Sequence, residues 1–231
     1  MAEHPILFSG PMVRAILAGQ KTMTRRVVKP QPPEDVGEIV VSNYHPTEVD
    51  RDGEEYPGPE IYGAWDYDGI WGTRCPFGAP GDLLWVREAH AIVPRTAYAL
   101  SVGVRQTLHP DNDYDAAVYR AGWERCAPGH WRPSIHMPRW ASRLTLRVTA
   151  VRVERVQEIT EADAVAEGIR TLPGQDPADP SAWWESAPGE HQSRSACAAF
   201  RNFWDSLNAK RGHGWDANPY VWVVSFEREG D

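Results

Sequence analysis

Residues 142–157 read Ser-Arg-Leu-Thr-Leu-Arg-Val-Thr-Ala-Val-Arg-Val-Glu-Arg-Val-Gln. Apolar and polar side chains alternate here with the period of a half-buried strand. Leu144, Leu146 and Val148 keep one phase, and Val151 and Val153 take the opposite one, with the change near Ala150. That change predicts a single long strand with a bulge or bend, the device by which small barrels turn their sheets.

Working outward, the same reasoning predicts strands at 6–8, 22–28, 83–88, 116–119 and 219–227, the last mostly buried. Ser9-Gly10-Pro11 starts a helix, Met12, Val13, Ile16 and Leu17 keep helical spacing, and Gly19 stops it. Thr160-Glu-Ala-Asp163 is a capping box for a short helix closed by Gly168. Residues 195–210 form an amphipathic helix with Phe200, Phe203, Trp204 and Leu207 on one face. Short strands with a few helices define an α+β fold around a small barrel, in a single domain covering 1–231. Three stretches rich in Pro, Gly and polar residues, at about 31–80, 94–138 and 171–194, read as long loop insertions.

Composition sets limits on function. The chain of 231 residues is long enough to bury a core without disulfides, and 42% hydrophobic residues exclude wholesale disorder. It has no apolar run of membrane-spanning length, and its first nine residues lack the pattern of a secretion signal. Three scattered cysteines, Cys75, Cys126 and Cys197, point to a reducing cytoplasm. The net charge of −8 argues against a general nucleic-acid coat protein. That charge is unevenly spread. Residues 34–68 hold eleven acids and one base, and the rest of the chain has 23 bases against 21 acids. From His4 to Pro33 there is no acid at all, a pattern compatible with a basic site beside an acidic loop.

The acid-free stretch contains Lys21-Thr22-Met23-Thr24-Arg25-Arg26 directly after the helix-stopping Gly19. Strand alternation puts Thr24 and Arg26 on one face. Lys21 has the wrong parity and joins them only if the strand begins after it. A Lys beside a hydroxyl serves as its base when burial and neighbouring cations lower its pKa. An exposed basic turn is the ordinary alternative. Glu167 lies in the last turn of the short helix, where the helix dipole disfavours an anion and suits a general acid.

Gly19-x-Lys21-x-x-Thr24-x-Arg26 resembles the signature of the ASCH family, whose fold is similar to the PUA barrel. It most resembles the branch of small bacterial amidohydrolases that remove the acetyl group from N4-acetylcytidine. The long form also resembles ASCH-type proteins of phages and prophages. The turn and strand at 80–86, the helix at 159–167 and the strand at 220–226 match in family order, covering about 90 residues in all. The resemblance implies Lys21 as base, Thr24 as nucleophile on the acyl carbon and Glu167 as the acid for the leaving nitrogen. Arg26 would hold the oxyanion or the substrate carbonyl. It implies no cofactor and no metal.

Further substrate-binding candidates are Phe8 and Trp85, as faces for stacking a base, and Arg143, which shares strand parity with Arg147 in a basic stripe. Trp204 and Trp222 read as packing. Cys126-x3-His130-x5-His136 has irregular spacing for zinc, and Gly-rich phosphate loops and Ser-His-Asp signatures are missing. The expected partner is a modified cytidine, as nucleoside or within RNA or DNA, with no membrane. The sequence leaves the oligomeric state open. The competing functions are a non-catalytic PUA-like module binding RNA or modified DNA and, ranked last, a ribonuclease.

Overall fold

The computed structural model describes residues 1–230. Strand β1 (Glu3–Leu7) leads through helix α1 (Gly10–Leu17) into β2 (Met23–Val27). The first insertion holds β3 (Ile39–Tyr44), β4 (Thr47–Val49), β5 (Glu55–Pro57), β6 (Ile61–Asp66) and β7 (Gly72–Arg74). After β8 (Leu83–Arg87) comes β9 (His90–Pro94), and the second insertion then holds β10 (Thr107–Leu108) and β11 (Asp115–Tyr119). Strand β12 (Thr145–Arg155) is followed by α2 (Glu161–Ala166). The hairpin β13 (Arg170–Thr171) and β14 (Trp184–Glu185), then α3 (Ala196–Asn208) and β15 (Tyr220–Arg228), complete the chain.

The α+β class is as expected. Five strands form the central sheet in the order β1-β8-β12-β15-β2, with β1 and β8 parallel and the other neighbours antiparallel. Strand β12 carries the anticipated irregularity: its register against β15 shifts between Val148 and Ala150. Among the described residues the sheet does not close into a barrel, because β1 and β2 remain its two edges. What links those edges is a side chain, Arg26, whose Nη2 donates to the Leu7 carbonyl at 2.9 Å.

Strand β15 is apolar on both faces because each face packs against a separate core. Trp222, Val224 and Phe226 join Ile6, Phe8, Val13, Leu84 and Leu146 beneath α1 and the first insertion. Val221 and Val223 join Ile159, Phe200 and Trp204 beneath α2 and α3. Both of these helices start with side-chain caps: Thr160 accepts from the Asp163 amide and Ser195 from the Ala198 amide. Glu161 ties them together, its Oε2 accepting from the Ala196 amide at 2.8 Å. A carboxylate at that position also opposes the helix dipole of α3.

The insertions correct the loop assignment. Residues 31–80 form a three-stranded sheet (β3-β6-β7) and a two-stranded one, 94–138 supply β10 and β11 to a three-stranded sheet with β9, and 171–194 hold most of the β13–β14 pair. Their strands have two to six residues and are often exposed on one side or both, which leaves too little alternation to read. Close backbone approach holds them instead. A Cβ on Gly63 would lie 2.2 Å from the Thr73 carbonyl oxygen on β7. We therefore expect Gly63→Ala to destabilise the protein by about 1–3 kcal/mol, read from urea denaturation. Wild-type stability in that variant would show that β6 and β7 do not pack as closely as described.

Candidate active site

The site begins where α1 hands over to β2. Gly19 takes the left-handed conformation (φ +71°) that lets the chain leave the helix sharply. The Thr22 amide then donates to the Ala166 carbonyl at the end of α2, and the Thr22 carbonyl accepts from Phe226 of β15. Lys21 is thereby driven inward ahead of the strand, the condition its parity required, and only 2% of it is exposed. Gly168 beside it ends α2 at φ +98°, a conformation that favours glycine, and a Cβ there would stand at ordinary contact distance from the Lys21 side chain.

Lys21 Nζ uses all three of its protons. It donates to the Met23 carbonyl at 2.7 Å, the Glu167 carbonyl at 2.8 Å and Glu167 Oε2 at 2.7 Å. Burial pushes the Lys21 pKa below its ordinary value and outweighs the opposing pull of Glu167; Arg26 and Arg25 push it further down. The other carboxylate oxygen, Glu167 Oε1, is buried without a hydrogen-bond partner. Arg25 Nη1 lies 3.7 Å from it.

Arg25 is fully buried and reaches away from Thr24. It pairs with Glu154 and, at 2.8 Å, with Asp163, and Arg152 bridges the same two carboxylates from outside. Thr24 is also fully buried. Its hydroxyl oxygen accepts from Arg26 Nη1 at 2.9 Å, and that nitrogen also donates to the Arg25 carbonyl at 3.1 Å. The Phe8 ring lies beneath both cations, 5.7 Å from Lys21 Nζ and 5.2 Å from the Arg26 guanidinium carbon. Burial lowers the Arg26 pKa, a loss that Glu167 partly offsets.

Five candidates therefore converge: Lys21, Thr24, Arg26, Glu167 and Phe8. Lys21 is bonded to Glu167 and not to the Thr24 hydroxyl. A cleft of about 470 Å³ opens beside this cluster, at the sheet edge formed by β2. Leu7, Phe8, Arg25, Arg26 and Glu167 line one side, and Phe200, Phe203, Trp204 and Arg211 the other.

Two candidates do not join the site. Trp85 is half-buried on β8, between the guanidinium groups of Arg87 at 5.4 Å and Arg139 at 6.0 Å. Arg143 grips buried Glu88 with two nitrogens, at 2.8 and 3.0 Å, and lies 4.1 Å over the Tyr119 ring beside a separate cavity. The supposed Arg143–Arg147 stripe is neutralised, since Arg147 pairs with Glu229. Conversely, the sequence pointed to Arg25 only as a cation beside Lys21, and gave no sign that Glu154 and Asp163 hold it or that the aromatic stripe of α3 lines a cleft. The signal available there was the pair Lys210-Arg211, cations at the end of an aromatic helix face.

The chain matches no protein-family model, no curated protein and no solved structure.

Removing Lys21 leaves a buried carboxylate with Arg25 as its nearest cation. We expect Lys21→Met to cost about 3–5 kcal/mol in chemical denaturation, and adding Glu167→Leu to recover part of the loss. The folded-state pKa of Lys21 lies below its unfolded value, so the unfolded chain binds more protons between the two. The stability advantage of the wild type over Lys21→Met should consequently grow as pH rises through that window. A pH-independent difference would contradict the burial of a charged Lys21.

Proposed function

We propose that this chain is a PUA-like protein of the ASCH type and acts as an amidohydrolase on N4-acylated cytosine, free or within a nucleic acid. The observation that carries this reading is the buried contact of Lys21 Nζ with Glu167 Oε2 at 2.7 Å, beside Thr24 and Arg26. The resemblance names these residues together, although 146 positions separate Lys21 from Glu167.

The pair provides both catalytic forms in one step. Passing a proton from Lys21 to Glu167 yields a neutral amine and a neutral carboxylic acid with no change in net charge. Burial of Lys21 favours this transfer. Thr24 starts on Arg26. An acyl oxygen of the substrate that takes over that N–H releases the hydroxyl to turn toward Lys21. Thr24 Oγ1 then attacks the acyl carbon and gives its proton to Lys21, and Arg26 stabilises the oxyanion. The C–N4 bond breaks as Glu167 protonates the nitrogen. Lys21 then passes a proton to Glu167 again, water gives its proton to Lys21 as it adds to the acyl carbon, and Glu167 protonates the departing Thr24 oxygen, which releases the carboxylic acid and restores the resting state. Half-buried Phe203 at the cleft wall is the aromatic placed to hold the base, while buried Phe8 backs the two cations.

A second reading, binding without chemistry, draws on the resting state itself. Lys21 has no free proton site and Thr24 is sequestered.

One experiment separates the two. N4-acetylcytidine is incubated with the wild type, Thr24→Ala and Glu167→Gln, each checked for folding by circular dichroism, and cytidine release is followed by chromatography. We expect release by the wild type and a loss of about 100-fold or more in kcat for both variants. Unimpaired turnover by Thr24→Ala would eliminate the nucleophile assignment. Absence of release by the wild type, with N4-acetylcytidine still bound, would favour the binding module.

A further inference from the structure

Most arginines around the sheet are neutralised by a carboxylate: Arg25 by Glu154 and Asp163, Arg143 by Glu88, Arg147 by Glu229. Two arginines lining the cleft are not. Arg26 donates only to neutral oxygens, those of Thr24, Arg25 and Leu7. Arg211 is exposed at the cleft wall just beyond α3 and has no acceptor among the described residues. The buried network behind the cleft does not supply the missing negative charge. Lys21, Arg25, Arg26 and Arg152 stand against Glu154, Asp163 and Glu167, so four cations face three carboxylates before Arg211 is added. The cleft of a chain with net charge −8 is thus locally cationic by about two charges.

An aromatic-walled cleft with this surplus fits a ligand that is flat at one end and anionic at the other. We infer that the cleft takes a cytosine compound bearing a phosphate, bound by Arg211, in preference to the free nucleoside. The inference refines the substrate class of the proposed amidohydrolase and rests on that reading for the identity of the base. A guanidinium is suited to the task because its planar fork offers two parallel donors to phosphate oxygens. Arg26, held by its backbone and hydroxyl acceptors, faces the base end of the same cleft. Ser9, at the start of α1, lines the same cleft, its hydroxyl makes no capping bond, and the first turn of α1 has no acid to repel an anion.

The phosphate has two possible sources, the terminal monoester of a nucleotide and the internal diester of a strand. Calorimetric titration with cytidine, cytidine 5′-monophosphate and the trinucleotide UpCpU, which carries diesters alone, distinguishes them. We expect one or both phosphate-bearing probes to bind about tenfold or more tightly than cytidine at low salt. That advantage should shrink as salt is raised from about 50 to about 500 mM. It should also be lost in Arg211→Ala, an exposed substitution that leaves the buried network intact. A larger gain for the monophosphate assigns a nucleotide, and a larger gain for the trinucleotide assigns a strand. Equal affinity for all three probes, absence of binding by any, or an advantage that survives Arg211→Ala would overturn the inference. Failure of both N4-acetylcytidine and its 5′-monophosphate to turn over, alongside an Arg211-dependent phosphate preference, would remove the amidohydrolase reading and leave this one standing. Turnover of N4-acetylcytidine with no phosphate preference would do the reverse.

Discussion

A lysine with no more than 2% of its surface exposed, bonded to a carboxylate equally shut away, constrains everything around it. Each charge alone would lose several kcal/mol of hydration on burial, and only close pairing with further hydrogen bonds compensates. Lys21 therefore needs three acceptors within reach, and they come from three places: the start of β2, the last backbone carbonyl near the end of α2 and the Glu167 side chain. This fixes the position of α2 against the α1–β2 turn. Gly168, which follows Glu167, takes a left-handed backbone that a larger residue would strain. Burying an ion pair is a weak route to stability compared with apolar packing. Its presence at the edge of a cleft makes chemical sense if a proton is to move between the partners.

The parts of this structure that could be read in the sequence are those in which one face is buried over a long run. Strand β12 betrayed its irregularity at Ala150 because Leu144, Leu146 and Val148 set a phase that Val151 and Val153 then broke. Strand β15 was legible as buried, and its two cores account for the lack of alternation. The strands of the insertions were not legible. Their burial comes from one another and from the first core, as with Ala64 and Trp71, and not from a periodic apolar face. The glycine contact between β6 and β7 gives no periodic signal at all.

The site was legible to the extent that neighbours in sequence are neighbours in space. Thr24 and Arg26 share a face because strand geometry requires it, and the structure joins them directly. Lys21 entered by leaving the turn before the strand began. Parity says which way a side chain points but not what waits for it there. Arg143 has the right character for phosphate, yet buried Glu88 claims it from the strand end nearby. Arg25 has the wrong parity for Thr24 and still matters, because Glu154 and Asp163 hold it beside Glu167. Those pairings are tertiary facts: Glu154 on β12 and Asp163 in the first turn of α2 lie more than 120 positions away in sequence.

The open sheet and the cleft are two consequences of one arrangement. An edge strand carries unpaired backbone groups and must be covered or blocked. At the β2 edge, a β1 strand in register would complete the barrel and leave no room for a ligand. Arg26 instead reaches across to the Leu7 carbonyl, so a guanidinium takes the place of backbone pairing between the edges. Its charge discourages another strand from docking there, and the aromatic face of α3 shields the opening from the far side. The space left between them is polar on the strand side and aromatic on the helix side. A pocket with that division grips a flat heterocycle by its faces and its polar edge together, which neither a closed barrel nor an uncovered edge would do.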